Sequence, residues 1–235
     1  MKKRILIKVS GAYLKGENSS FDIEKIKNLS QQIKTLTKDY QIGLVVGGGN
    51  IFRGNLASNY TLDHNIGDQI GMLATVMNGI LLQDIFLNNN IKTKVFSAIK
   101  IDSVCEQFNF RKVNDALNND EVCIFVSGTG SPFFTTDTGA SLRACEIHAD
   151  IILMGKNGVD GVYDKDPTKH NDAKRFESLT YKEVIDMNLK VMDLSSLVMC
   201  QENNISLLVF NIDEPNCFIK ALNNEIKSTK IDKGV

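Results

Sequence analysis

The sequence predicts an α/β fold with an open, mostly parallel central sheet and helices on both of its faces. Two observations lead to this prediction. Short apolar runs of strand length alternate with segments of helical periodicity from one end of the chain to the other. The apolar runs are continuous and rich in valine and isoleucine, which is typical of strands buried on both faces of a parallel sheet. Parallel neighbours need helical crossovers, so the helices between the runs belong to the same repeating pattern.

Five strands and six helices are predicted along the chain. The strands are residues 5–9, 42–46, 122–126, 151–154 and 205–210. The first helix has an apolar face formed by Ile23, Ile26, Leu29, Ile33 and Leu36. A second, longer helix is marked by apolar residues from Ile66 to Leu81 and ends near Asn88. Shorter helices are predicted at residues 138–149, 181–187, 194–203 and 214–223.

Length and charge limit the possible classes of protein. The chain has 235 residues, of which 43% are hydrophobic and 23% charged, so one large α/β domain or two small ones would fit. With three prolines and no linker-like stretch, a single domain over residues 1–235 is favoured. The 27 basic and 28 acidic residues give a net charge of −1, which argues against a protein that coats nucleic acid.

Cysteine usage and apolar run length predict a soluble cytoplasmic protein without a membrane partner. The five cysteines are scattered and form no Cys-x-x-Cys pair. The three histidines are not spaced to complete a zinc site with them. Buried free thiols in a reducing compartment are therefore expected, and no metal-binding residues are predicted. The N-terminus is basic, but Lys8 interrupts the apolar run that follows, so a signal peptide is not expected.

Three glycine-containing loops follow predicted strands. They begin at Ser10, at Gly47 and at Ser127. In open α/β sheets, ligands bind where loops leave the carboxyl ends of the strands. Glycines there allow backbone N–H groups to approach an anion closely. Any one of these loops could be a tight structural turn, but three at strand ends favour an anion-binding site.

The two common nucleotide-binding fingerprints are absent. A dinucleotide-binding loop that starts at Gly47 would need glycine in place of Phe52. A P-loop that starts at Gly49 reaches Gly54 correctly, but Asn55-Leu56 replaces the Lys-Ser/Thr that it requires. A hydride-transferring Rossmann enzyme and a P-loop ATPase are both disfavoured.

Three cations near the strand ends point to phosphate chemistry. Lys8 lies inside an apolar strand, Arg53 follows the triple glycine, and Lys156 follows the strand at 151–154. Lys8 could also be a strand-end lysine that reaches water. Phosphoryl transfer between anionic nucleotides needs cations, amides and Mg²⁺ around the transferred group rather than a covalent nucleophile.

Longer motifs occur in order over nearly the whole chain. They are KVSG at 8–11, GGGNIFRG at 47–54, GD at 67–68, MLATVMNG at 72–79, GTGSPFFTTD at 128–137, VDGVY at 159–163, DP at 166–167 and KVMDL at 190–194. Together they resemble the bacterial uridylate (UMP) kinases, a branch of the amino acid kinase superfamily. The ATVMNG and PFFTT runs resemble that branch specifically.

The resemblance implies a fold, a reaction and an assembly. It implies a three-layer sandwich whose N-terminal half binds mainly the acceptor nucleotide and whose C-terminal half binds mainly ATP. The implied reaction is UMP + ATP → UDP + ADP, with Mg²⁺ bound through the nucleotide phosphates, as a step toward CTP. A cytoplasmic homohexamer with feedback inhibition by UTP is also implied.

The resemblance also implies roles for the residues that stand at the family's motif positions. ATP would be bound by Lys8, Val9, Ser10, Gly11, Gly49 and Arg53, and its adenosine by Asn157, Tyr163 and Asp166. UMP would be bound by Gly48, Asp68, Thr129, Gly130, Ser131, Pro132, Phe133, Phe134, Thr135 and Thr136. Lys8, Arg53 and Asp193 would be catalytic. The resemblance weakens at residues 16–21, where the family's segment linked to GTP activation is richer in glycine, and at Gln69, where many members carry histidine.

Local explanations remain open for three aspartates. Asp68 could be a carboxylate near a helix N-terminus, where the dipole favours negative charge. Asp137 and Asp193 could each be a helix N-cap.

Two other functions also fit parts of the sequence. One is another kinase of the superfamily, acting on carbamate, aspartate, N-acetylglutamate or an isoprenoid phosphate, although residues 129–136 favour a nucleoside phosphate. The other is a non-catalytic nucleotide-binding regulator, although the presence of Lys8, Arg53 and Lys156 favours an enzyme.

Overall fold

The structure is a computed structural model that describes residues 2–53 and 61–234. Its strands are β1 (Lys3–Val9), β2 (Tyr40–Val46), β3 (Thr93–Ser97), β4 (Glu106–Gln107), β5 (Val122–Val126), β6 (Ile151–Lys156), β7 (Val162–Tyr163), β8 (Arg175–Phe176), β9 (Ser178–Thr180), β10 (Ser206–Asn211) and β11 (Ser228–Asp232). Its helices are α1 (Gly11–Leu14), α2 (Ile23–Leu36), α3 (His64–Asn88), α4 (Phe110–Asn118), α5 (Thr136–Glu146), α6 (Tyr181–Asp186), α7 (Leu194–Glu202) and α8 (Cys217–Leu222).

Nine of these strands form one sheet, in the order β4-β3-β5-β2-β1-β6-β10-β11-β9. The seven strands from β4 to β10 run parallel, whereas β11 pairs antiparallel with β10 and parallel with β9. Strands β7 and β8 form a separate antiparallel hairpin. The prediction of an α/β fold with a mostly parallel sheet is confirmed.

Two cores fill the space between the sheet and its helices, one on each face. Along β1, Ile5 and Ile7 point into the core under α2, α3 and α8, and Leu6 points into the core under α4 to α7. This alternation follows from the two-residue period of a strand. The prediction of helices on both faces is therefore confirmed. All five cysteines are free thiols, and burial raises the pKa of Cys123 to about 12.

Elements of mixed polarity have no clear pattern in the sequence. β3 carries a polar Thr93 and Lys94 beside a single Val-Phe pair, and it has no continuous apolar run. α4 buries only Val113, Ala116 and Leu117. In such short segments the packing partners decide the structure, because the local sequence carries too few apolar residues to indicate it.

The long helix α3 has two apolar faces. Phe86 is fully buried against the core, while Leu73 and Met77 are about half exposed on the opposite side. Among the helices of the described residues, α3 alone is long and apolar enough to cross a membrane, judged by length and mean hydropathy only. Uninterrupted apolar runs in the sequence do not indicate this, because polar residues interrupt the apolar pattern of the helix. The buried face of α3 belongs to the core of the sheet.

The parallel order brings the glycine loops together. Strands β5, β2 and β1 are neighbours in the sheet, and β6 lies next to β1 on the other side. Because the four strands run in the same direction, their carboxyl ends lie at one edge. The loops that begin at Ser127, Gly47 and Ser10 and the residues after Lys156 therefore converge there.

Candidate active site

The first two glycine loops are in backbone contact. A Cβ atom added at Gly11 would lie 2.4 Å from the backbone nitrogen of Gly49 and 2.8 Å from that of Asn50. Only glycine fits at this approach. Ser10 is the N-cap of α1, and its hydroxyl accepts from the backbone N–H of Tyr13. The backbone amides of both loops thus lie close together at the sheet edge.

A buried amide pair holds the second loop. The side chains of Asn50 and Asn78 donate to each other at 2.8 and 2.9 Å. The remaining N–H of each is used as well, by Asn50 toward the Ser20 carbonyl and by Asn78 toward the Gly47 carbonyl. All four N–H donors of the pair are satisfied, as burial requires. The pair connects the glycine loop with α3 and with the segment at 16–21.

Two lysines and one aspartate form a charge cluster beside these loops. The ammonium of Lys8 lies 2.8 Å from Oδ1 of Asp137, and both side chains are mostly buried. Lys156 donates to the carbonyl oxygens of Lys190 and Val191 at 3.2 and 3.1 Å. Burial lowers the pKa of Lys156; the charge of Lys8 acts in the same direction, and Asp137 opposes both. Lys8 is therefore a partnered strand residue near a second cation, and it does not simply reach out to water.

Asp137 belongs to this charge cluster, although the sequence pattern predicts for it only a helix N-cap. It lies in the first turn of α5, and the N-cap of that helix is Thr135, so the N-cap reading of Asp137 is wrong. The sequence signal was present, because a buried Lys8 requires a counter-charge and Asp137 closes the PFFTTD motif. Only the adjacency of β1 and the α5 N-terminus reveals the pair.

One cleft of about 400 Å³ lies between α3, the second glycine loop and the third loop. Its walls include six of the predicted UMP residues: Gly48, Asp68, Ser131, Phe134, Thr135 and Thr136. Thr129, Gly130, Pro132 and Phe133 belong to the same third loop but lie outside the cleft lining. We call this space the acceptor cleft. Gly49 and Arg53, which were predicted to contact ATP, also line it.

Arg53 is exposed, and its Nε donates to the carbonyl oxygen of Gly49 at 2.9 Å. This bond folds the side chain back over the glycine loop. The next motif residue, Gly54, and the P-loop positions Asn55 and Leu56 lie outside the described residues.

Asp68 lies one turn into α3, whose N-cap is Asp63. Its Oδ2 accepts from the backbone N–H of Phe133 at 2.7 Å and lies 3.1 Å from Nδ1 of His64. A role limited to the helix dipole does not account for this placement, because the carboxylate is held by the third loop and lines the acceptor cleft.

Asp193 stands at the N-cap position of α7, yet its carboxylate makes no capping bond among the described residues. Its Oδ2 accepts instead from the hydroxyls of Thr135 and of Thr138, the latter at 3.1 Å. The predicted N-cap position is confirmed, but the carboxylate does not cap the helix. Asp193 joins the start of α7 to the start of α5 beside the acceptor cleft.

A second cleft of about 500 Å³ is formed by the hairpin strand β7, the loop that follows it and residues 187–190. Tyr163 and Asp166, both predicted to bind adenosine, line it together with Lys156. The hydroxyl of Tyr163 donates to Asp160 at 2.5 Å, which raises the pKa of Tyr163. Asp166 accepts from the N–H and hydroxyl of Thr168, and these bonds lower its pKa. We call this space the adenosine cleft.

Asn157 lies between the loops and not in the adenosine cleft. Its Oδ1 accepts from Ser10 at 3.4 Å, and its Nδ2 donates to Asp213 at 3.2 Å. Asp213 also accepts from the N–H of Gly158 at 2.8 Å. Asp213 was missed from the sequence, where only its position just after a predicted strand could have indicated it.

The carboxylates suit a magnesium ion that arrives with a nucleotide. Mg²⁺ prefers oxygen ligands and is often held by one or two carboxylates plus substrate phosphates. Asp137 and Asp193 supply such oxygens near Lys8 and Thr135. Within residues 2–53 and 61–234, no group of three or more His, Cys, Asp or Glu side chains is arranged to hold a metal alone.

Comparison with known families gives a match over most of the chain. The model of the amino acid kinase family matches residues 3–211. The chain belongs to the amino acid kinase family. The uridylate kinase of Ureaplasma parvum serovar 3 is 47% identical over 99% of both chains, and that of Psychrobacter cryohalolentis is 45% identical over 97% of this chain and 95% of its own.

Solved structures show the same fold. A crystal structure of UMP kinase from Ureaplasma parvum is similar with a TM-score of 0.97 and 46% identity, covering 99% of this chain and 100% of that one. UMP kinase from Bacillus anthracis has a TM-score of 0.94 and 34% identity, covering 99% of this chain and 97% of its own.

Proposed function

We propose that this protein is a nucleoside monophosphate kinase that transfers the γ-phosphoryl group of ATP to UMP and so produces UDP. The observation that carries the proposal is the acceptor cleft. Glycine-loop amides, Asp68 and the threonines of the third loop surround a space of nucleotide size, and Lys8 lies at the same sheet edge. Full-length similarity to proteins named uridylate kinase supports UMP as the acceptor.

The two clefts divide the substrates between the halves of one domain that spans residues 1–235. The acceptor cleft takes UMP, with Asp68 as a hydrogen-bond acceptor for the nucleoside and the loop at 129–136 around its phosphate. The adenosine cleft takes the base and ribose of ATP next to Tyr163 and Asp166. The ATP phosphates then extend over residues 8–11 and Asn157 toward Gly49 and Arg53.

The chemistry consists mainly of positioning and charge neutralisation. Lys8, Arg53 and Lys156 stabilise the charge of the transferred group, and the loop amides donate hydrogen bonds to its oxygens. Mg²⁺, bound through the nucleotide phosphates, supplies further neutralisation. Asp193 holds Thr135, so it orients the phosphate-facing end of the third loop. The acceptor phosphate is already an anion, so the reaction requires no strong general base.

We also propose that the protein works in the cytoplasm in pyrimidine nucleotide biosynthesis, as a homohexamer inhibited by UTP. Support for self-association comes from the outer face of α3. Ile66, Leu73, Met77, Ile80 and Leu87 are 38–55% exposed there. They recur every three, four or seven residues and form one stripe, which suits burial against the same stripe of a second copy. Solution mass measurement with and without UTP tests the assembly.

A substrate panel tests the reaction. ADP release from Mg-ATP, coupled to a spectrophotometric readout, is measured with UMP, CMP, dCMP and AMP, and with aspartate and carbamate for the other kinases of the family. We expect UMP to have a kcat/KM at least about a hundredfold above the others, because a site built to pair with one base rejects analogues strongly. Lack of a preference for UMP would contradict the proposal. Lack of turnover with every acceptor would favour the non-catalytic regulator.

Two substitutions test the assigned residues. Arg53→Ala should lower kcat/KM by roughly a hundredfold, because one charge that neutralises the transition state is lost, while thermal stability is unchanged.

Asp68→Asn should raise KM for UMP by roughly tenfold and leave KM for ATP unchanged. The controls are Arg111→Ala and Asp84→Asn; Asp84 lies on the same helix α3 and contacts only Asn88 among the described hydrogen bonds.

A further inference from the structure

Three residues outside the reacting centre form a closed contact between α3 and the third loop. His64, the first residue of α3, places Nδ1 3.1 Å from Oδ2 of Asp68. The same oxygen accepts from the backbone N–H of Phe133 at 2.7 Å. The rings of His64 and Phe133 stack with centroids 4.7 Å apart and planes 10° from parallel. We call these residues the His64–Asp68–Phe133 clasp.

The clasp holds a backbone conformation that is otherwise unfavourable. Phe133 has a φ of +69°, in the left-handed region that side chains with a Cβ rarely adopt. Such a residue persists when surrounding contacts determine it. Here those contacts are the hydrogen bond from its N–H to Asp68 and the stack of its ring on His64.

The clasp joins two walls of the acceptor cleft. Asp68 lines the cleft from α3, and Phe134, the neighbour of Phe133, lines it from the third loop. His64 and Phe133 themselves lie outside the lining, and the side chain of His64 is 65% exposed. His64 therefore acts on the cleft through Asp68 and Phe133.

We propose that His64 is a positioning residue for the acceptor nucleotide. It fixes the carboxylate of Asp68 and the third loop before UMP arrives, so less conformational freedom is lost on binding. Oδ2 of Asp68 accepts one hydrogen bond, from Phe133, and lies 3.1 Å from the His64 nitrogen; a carboxylate can accept more, so a nucleoside donor can still bind to it. The inference rests on the proposed assignment of the acceptor cleft to UMP.

The two contacts of His64 can be removed separately. His64→Phe keeps an aromatic ring opposite Phe133 and removes the donor to Asp68. His64→Asn keeps a donor of similar reach and removes the ring. His64→Ala removes both. A matched control is His148→Ala, because His148 is also exposed and contacts one aromatic ring, Phe110, edge-on at 6.1 Å, far from the clasp in the fold.

The readouts are steady-state kinetics with varied UMP and varied ATP, and calorimetric titration of UMP into the protein without ATP. We expect His64→Ala to raise both KM and Kd for UMP by roughly fivefold to tenfold, with kcat and KM for ATP within about twofold of the parent. His64→Phe and His64→Asn should each recover part of the loss. His148→Ala should leave every value unchanged.

Several results would overturn the proposal. One is an unchanged UMP affinity in His64→Ala; another is an equal rise in KM for both nucleotides, which would indicate a general structural defect. If Asp68→Asn weakens UMP binding while His64→Ala does not, only the clasp is wrong. If neither variant affects UMP binding, the assignment of the acceptor cleft itself fails.

Discussion

The acceptor cleft and the adenosine cleft lie along the same parallel sheet but are built in different ways. The walls of the acceptor cleft are two glycine-containing loops and the helix α3, and long-range contacts link them to one another and to neighbouring elements. Asn78 holds the Gly47 carbonyl, Asp68 holds the N–H of Phe133, and Asp193 holds the hydroxyl of Thr135. Each of these contacts joins elements that are distant in sequence.

The adenosine cleft relies more on short-range contacts, although Lys156, which lines it, also donates to the distant carbonyl oxygens of Lys190 and Val191. Tyr163 bonds to Asp160 three residues away, and Asp166 bonds to Thr168 two residues away. Residues 187–190 follow α6, which a capping box between Thr180 and Glu183 stabilises locally. We therefore expect single changes at the long-range contacts of the acceptor cleft to have larger effects than single changes at the local turns of the adenosine cleft.

The largest expected effect comes from the contact between the first two glycine loops. Gly11→Ala places a methyl group 2.4 Å from the Gly49 nitrogen, so one loop must move. We expect kcat/KM for both nucleotides to fall by roughly a hundredfold or more, and the free energy of unfolding to fall by about 1–3 kcal/mol, as for overpacking elsewhere. Steady-state kinetics and urea unfolding measure the two quantities.

A glycine with free space provides the control for Gly11→Ala. Gly71 lies within α3, and a Cβ there would meet nothing within 4 Å. Gly71→Ala should raise the free energy of unfolding by roughly 0.5–1 kcal/mol, because alanine is the better helix former. Equal stability of the two variants would mean that the loop contact is not a constraint.

An intermediate effect is expected in the adenosine cleft. Tyr163→Phe keeps the ring against the cleft and removes only the hydrogen bond to Asp160. We expect KM for ATP to rise by roughly twofold to fivefold, with KM for UMP and kcat unchanged. Substrate titrations at saturating partner nucleotide measure this. A fall in kcat with no change in KM for ATP would show that Tyr163 acts on the reacting groups and does not bind the adenine base.

The smallest effect concerns the capping box of α6. Two hydrogen bonds from Thr180 lower the pKa of Glu183, so its folded-state pKa lies below its unfolded value. The stabilisation is therefore complete above the unfolded pKa of about 4.3 and is lost as the pH falls through the lower folded value. Glu183→Gln should lower the melting temperature by roughly a few degrees at most near pH 7, and the difference should shrink toward about pH 3. A difference that grows on acidification would contradict the assignment.

Much of the fold could be predicted because the central strands can be recognised in the sequence from their apolar runs. The middle residues of β1, β2, β5, β6 and β10 are buried on both faces, so each strand contains a short apolar run. β3, β11 and α4 could not be predicted, since each is short and half polar and is held by its neighbours. The hairpin of β7 and β8 has two residues per strand, which is too short for any periodicity to appear.

The site divides in the same way. Glycine loops, strand-end cations and the ordered motifs identify residues such as Gly11, Lys8 and Arg53 from the sequence alone, because their residue types are unusual where they stand. The partners of those residues depend on strand order. Asp137 pairs with Lys8 across 129 positions only because β1 lies beside the start of α5.

The sequence by itself determined the α/β class and the central strands, predicted that three loops bind anions, and carried the resemblance to nucleotide kinases. These features are encoded in local composition and spacing. Only the tertiary structure decided which loops face each other, that Asp193 binds Thr135 and caps no helix amide, and that His64 and Phe133 clasp Asp68. Those contacts join segments tens of residues apart, and their geometry follows from the order of strands in the sheet, which local pattern does not contain.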